Sequence, residues 1–142
     1  MGSFRSCRRL ALTSAALLVV VALVVAAGVI PLVKADTHPG AMPQKAVPAF
    51  WFNVGLNVLG AAVLGLLAIR TTGRSPRTTI VLGLWAFVAL LLAIALIDAA
   101  SAYGGHGPAM RTATILLFFC SAVETLAAVL IIVTAIALPK HA

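Results

Sequence analysis

The sequence predicts an all-α integral membrane protein: a four-helix transmembrane bundle, up-down-up-down, with both termini cytoplasmic. Three observations carry that reading. Of 142 residues, 63% are hydrophobic and 9% charged, against about 45–50% and about 25% in soluble domains. The few charges divide the chain into four long runs that are uncharged or nearly so. Lysines and arginines then sort unevenly between alternate loops. A soluble globule of this length could not hide so much apolar surface. Disorder needs the opposite composition, and a disulfide framework needs more than Cys7 and Cys120.

A hydrocarbon core about 30 Å thick takes roughly 20 helical residues at about 1.5 Å each, and the uncharged runs meet that length. Residues 1–9 form a basic N-terminus, and the first span covers 10–33, uncharged from Leu10 to Val33. A cleaved signal peptide ending near Val33-Lys34-Ala35 is the alternative for this segment. Signal h-regions run only about 7–15 residues, however. An outer loop, 34–46, is marked by Pro39, Gly40 and Pro43, and the second span covers 47–69. The loop 70–78 carries Gly73 and Pro76, and the third span covers 79–97. A second outer loop, 98–111, contains Gly104, Gly105, Gly107 and Pro108. The fourth span covers 112–138, broken only by Glu124, and Pro139 begins the tail 139–142. Loops this short leave no room for a soluble domain, so residues 1–142 form one membrane domain.

Orientation follows from the basic residues in short loops. Arg5, Arg8, Arg9, Arg70, Arg74, Arg77 and Lys140 fall on one side; only Lys34, Lys45 and Arg111 fall on the other. The first side is cytoplasmic by this rule, and its arginines face anionic inner-leaflet lipid. That accounts for the net charge of +7. Nucleic acid is excluded as a partner, because no basic domain exists to dock a duplex. The expected partners are the bilayer and other membrane subunits, or further copies of this chain.

The N-terminal Met1-Gly2-Ser3-Phe4-Arg5-Ser6 fits the acceptor pattern for myristoylation at Gly2. Cys7 beside it, among arginines, fits a second acyl site. The alternative is an ordinary N-terminus with a free thiol. Elsewhere the chemistry is sparse. There is no CxxC, and His38, His106 and His141 lie in loops or the tail, where they cannot hold a haem between spans. No metal-ligand spacing and no nucleophile–base pair stands out. The expectation is a non-enzyme without cofactor or metal.

Glu124 lies roughly midway along the fourth span, near the bilayer midplane at about 1.5 Å per residue. A charged residue there costs about 2.5–3.5 kcal/mol on insertion scales, so it must be protonated or paired. Thr114, Ser121, Ala128 and Ala135 recur at heptad spacing with Thr125 beside them, a small-residue stripe suited to close helix packing. Glu124 is expected to border that stripe. Asn53 and Asn57 share a face of the second span, Asn57 at similar depth. The expected intramembrane polar site is therefore Glu124, Asn57, Asn53, Ser121 and Thr125, with a Glu124–Asn57 hydrogen bond. At the outer face, Asp98 and Arg111 are expected to pair, for about 0–1 kcal/mol. Phe50, Trp51 and Tyr103 mark that interface, and Asp98, Tyr103 and His106 are the residues of an outer vestibule.

These features point to a small non-enzymatic, tetraspan-like scaffold or accessory subunit of a membrane complex. The alternative is a proton- or cation-coupled small transporter using the carboxyl of Glu124.

Overall fold

A computed structural model describes residues 2–35, 47–70, 76–103 and 108–137, all of them helical. The first helix, α1, runs as an α-helix over Gly2–Val24, widens into a π-helix over Val25–Val29, and closes as an α-helix over Ile30–Ala35. Helices α2 (Val47–Arg70), α3 (Pro76–Tyr103) and α4 (Pro108–Ala137) follow. Four segments are long and apolar enough to cross a membrane: Cys7–Ala35, Val47–Arg70, Pro76–Ser101 and Arg111–Ala137. The chain is a multi-pass membrane protein. Its helices overrun the uncharged runs at most ends, because basic and small polar residues continue a helix readily once the flanking loop chemistry permits it.

Local sequence explains the helix limits. Pro76 and Pro108 open α3 and α4, and Pro48 sits in the first turn of α2. There a missing N–H costs nothing and the fixed φ suits a helix. Lys34 and Arg70 lie in the last turns of α1 and α2, opposite the negative end of the helix dipole. The guanidinium of Arg8 reaches across from α1, its Nε donating to the carbonyl of Ala68 at 2.9 Å. It satisfies one of the carbonyls that the end of α2 leaves unpaired.

Pro31 accounts for the π turn. A proline inside a helix has no N–H to give and presses its ring on the carbonyl four residues back. The ladder widens ahead of it, and the Ile30 N–H bonds Val25 O instead. Val21, Val25, Val29 and Val33 are all fully buried. In a regular α-helix a spacing of four drifts about 40° per step. The wider turn takes up part of that drift and keeps the valines on one face.

Helix α3 packs most extensively against α4, and α1 against both α2 and α4, whereas α2 and α3 barely touch. Two apolar clusters result. One joins Val29 and Val33 of α1, Phe50 of α2, Leu96 of α3 and Leu117 of α4. The other joins Leu18 of α1, Leu64 of α2, Leu82 of α3 and Ile131 of α4. Outward, large apolar side chains such as Phe52, Ile80, Ile94 and Ile136 are exposed on every side. Such a surface suits a hydrocarbon solvent rather than water.

Candidate functional site: a buried polar layer between two apolar clusters

The gap between the clusters is polar. On α4 it falls between Cys120 and Ala127, on α2 between Phe50 and Leu64, and on α3 between Ala86 and Leu96. It holds Glu124, 0% exposed, with Asn57 at 1%, Ser121 at 2% and Asn53 at 5%. Three helices contribute. The Ser121 hydroxyl of α4 donates to the Ala93 carbonyl of α3 at 2.9 Å. Asn57 donates its Nδ2 along its own helix, to Asn53 O at 2.9 Å and Asn53 Oδ1 at 2.8 Å.

Asn57 is the polar side chain beside Glu124, close enough to act on its carboxyl as a hydrogen-bonding group, although no contact of strict hydrogen-bond geometry joins them. Both carboxyl oxygens of Glu124 and the Oδ1 of Asn57 are buried with no hydrogen-bond partner. Asn57 directs its Nδ2 hydrogens to Asn53, one turn back, rather than squarely at the carboxyl. Buried polar atoms are ordinarily paired, and three orphans in one place define this as the unusual spot in the fold.

The expectation that Glu124 borders the packed face is also corrected: it sits within it. Helix α4 buries Ala113, Leu117, Cys120, Ser121, Glu124, Ala127, Ala128 and Ile131. That face is broad because α4 packs on α1 and α3 at once. Thr125 is exposed, and its hydroxyl merely bonds the Ser121 carbonyl at 2.9 Å. It does not join the layer. Two buried hydroxyls that the sequence reading passed over, Ser14 and Thr134, likewise bond carbonyls of their own helices, at 2.8 and 2.7 Å. Replacing Ser121 by Ala removes a bond between helices and is expected to lower stability by about 0.6 kcal/mol, the average for such bonds in membranes. Equilibrium unfolding of the variant in mixed detergent checks this.

Of the outer-face residues, the structure describes the side chains of Asp98 and Arg111. Asp98 and Arg111 are both exposed and no ion pair joins them. The buried residues near them on the two helices are Leu96, Ala100 and Ala113. The Tyr103 side chain and His106 lie outside the described residues. Of the basic set, Arg8, Arg9, Arg70 and Arg77 are exposed, while the Arg5 side chain and Arg74 lie outside the described residues. Gly2 begins α1. Cys7 is a free thiol, 3% exposed and packed in the apolar cluster of Leu18 and Leu64. It faces the bundle rather than the headgroups where an acyl chain would be attached. Among the described residues no group of three His, Cys, Asp or Glu could hold a metal ion.

One feature of the site was not visible in the sequence. Where α2 and α3 part, a groove of about 460 Å³ opens, lined by Phe50, Phe52, Asn53 and Leu56 on one side and Leu91, Leu92 and Ala95 on the other. Asn53 gives it a polar wall that continues through Asn57 towards Glu124. Compared with known proteins, the chain matches no family model, no curated protein and no solved structure.

Proposed function

We propose that this protein is a small proton-coupled membrane carrier in which Glu124 holds the transported proton. The observation that carries the reading is the set of three orphaned atoms, all of them acceptors: Glu124 Oε1 and Oε2 and Asn57 Oδ1. What such a set lacks is a donor. One proton on Glu124 supplies it, making the carboxyl neutral and letting it donate to Asn57 Oδ1. An ionised carboxylate at this depth, without a basic residue to pair it among the described residues, would bear the full cost of a charge in the bilayer. The scaffold or accessory-subunit reading draws on the small-residue face of α4. Of that face Ser121 and Ala128 are buried inside the chain itself, while Thr114 and Ala135 are half-buried and Thr125 is exposed.

The reading is tested by infrared spectroscopy of the protein in lipid. The carbonyl band of a protonated carboxylic acid is expected at neutral pH, and it should vanish in Glu124→Gln. Absence of the band in the wild type overturns the proposal.

The proposal includes an up-down-up-down path with both termini cytoplasmic. Its support is the make-up of the two clusters. Each draws from one half of α1 and α3 and from the opposite half of α2 and α4, as alternating helix directions require. Single cysteines at Gly40 and Thr72, both outside the described residues, are expected to label from opposite sides of sealed membranes. Labelling of both from one side would refute the path.

A further inference from the structure

We infer that the groove between α2 and α3 is a lateral binding site, entered from the membrane, for a lipophilic amine whose ammonium group is drawn towards Glu124. The inference rests on the proton-carrying reading of Glu124 and names what exchanges with the proton.

Three observations select this occupant. The first is length. The groove runs from Ala49 to Leu56 on α2 and from Val88 to Ala99 on α3, about 10 Å and about 16 Å at 1.5 Å per residue. That is about a third to a half of a bilayer core of about 30 Å. A partner helix would need the whole span, whereas a groove of about 460 Å³ falls within the roughly 300–1,000 Å³ of small-molecule sites. The second is polarity. Apart from Asn53 the walls are apolar, and Asn53 lies about midway along the α2 wall, with Asn57 one turn deeper and hydrogen-bonded to it. A lipid tail filling the groove would lay its methylenes against that amide, burying a polar group against hydrocarbon. A molecule with a polar head at its deep end does not. The third is charge. The atoms left without partners beyond Asn53 are acceptors only, two of them on a carboxyl. An ammonium group brings the donors and the positive charge that this set lacks, where a carbonyl or ether head would bring neither. Proton and amine thus compete for the same negative charge: amine entering the groove favours loss of the Glu124 proton, and protonation favours amine release.

The test is equilibrium binding of radiolabelled 4-phenylbutylamine to the full chain in nanodiscs of zwitterionic lipid, with empty nanodiscs subtracted. Saturable binding is expected, at one site per chain. It should weaken about tenfold or more in Glu124→Gln, the scale of one lost charge-assisted contact. It should weaken equally in Ala95→Phe, which fills the groove from an exposed position and leaves Glu124 in place. The neutral 4-phenylbutanol should not compete. Absence of saturable binding, or binding retained in either variant, overturns the inference. Equal competition by the alcohol would assign the groove to lipid-like molecules and overturn it as well. Efficient cross-linking of Ala95→Cys between chains, in a background lacking Cys7 and Cys120, would assign it to a second copy with the same consequence. The infrared band of Glu124 is read separately. If the amine fails to bind while that band is present, only the amine site falls; if the band is also absent, the proton reading falls with it.

Discussion

Glu124→Gln is expected to abolish proton flux driven by a pH gradient in proteoliposomes, reducing it to the level of empty vesicles, while the protein still folds. The substitution is close to isosteric but removes ionisation, so no proton can be exchanged at that position. Stability should hold. The new amide offers N–H donors in place of the carboxyl proton, so Asn57 Oδ1 keeps a donor, and one such bond in a membrane averages about 0.6 kcal/mol. Glu124→Leu should lose flux equally, and it should leave Asn57 Oδ1 orphaned in a wholly apolar setting. Glu124→Asp keeps the carboxyl but draws it back towards α4, away from Asn57, and should carry reduced flux. The order wild type, Asp, then Gln and Leu together is the signature of a titrating group. Wild-type flux in the Gln variant would show that Glu124 is a structural polar contact. An unfolded Gln variant would show that its charge is held by a partner the fold requires.

The sequence disclosed some parts of this molecule and withheld others for definite reasons. Spans were legible because a charge in hydrocarbon is costly, so runs such as Leu10–Val33 cannot be accidental. Helix starts were legible in Pro76 and Pro108. Buried polar residues were legible too: in a membrane helix Asn53, Asn57, Ser121 and Glu124 have reason to avoid lipid, and all four are buried. Which apolar residues face the protein was not. Lipid tails and protein core are alike in polarity, so Leu96 and Ile94 read the same although one is buried and the other exposed. That is why the breadth of the α4 face and the parting of α2 from α3 went unseen, and with them the groove. Cys7 misled for a related reason: its arginine neighbours suggested the headgroup layer, while the helix turns its thiol inward. The Asn57 amide was illegible in another way. Whether it bonds Asn53 or Glu124 depends on a side-chain rotamer, which spacing does not encode.

Gly60→Val is expected to destabilise the bundle by about 1–3 kcal/mol, the usual range for overpacking a filled site. Gly60 is buried on α2. A Cβ there would stand 3.0 Å from Leu18 Cδ1 of α1 and 3.0 Å from Trp85 Cε3 of α3. The leucine methyl can swing aside at small cost. The indole ring cannot, because its plane moves as one body, so α2 or α3 must give way. Gly55, Gly65 and Gly83 meet nothing within 4 Å in the same test. Gly65→Ala should therefore be neutral or gain up to about 1 kcal/mol from helix propensity. Unfolding in mixed detergent, followed by tryptophan emission in a Trp51→Phe background, which leaves Trp85 as the emitter, and by helical circular dichroism, measures both variants against the parent. The valine also reaches the site indirectly. Gly60 lies one turn from Asn57, and pushing α2 outward carries Asn57 away from Glu124. Flux should fall in Gly60→Val although no atom of the polar layer has changed. A Gly60→Val protein as stable and as active as wild type would mean that α2 does not press on α1 and Trp85 in the membrane, and the groove beside it would then have a different shape from the one described.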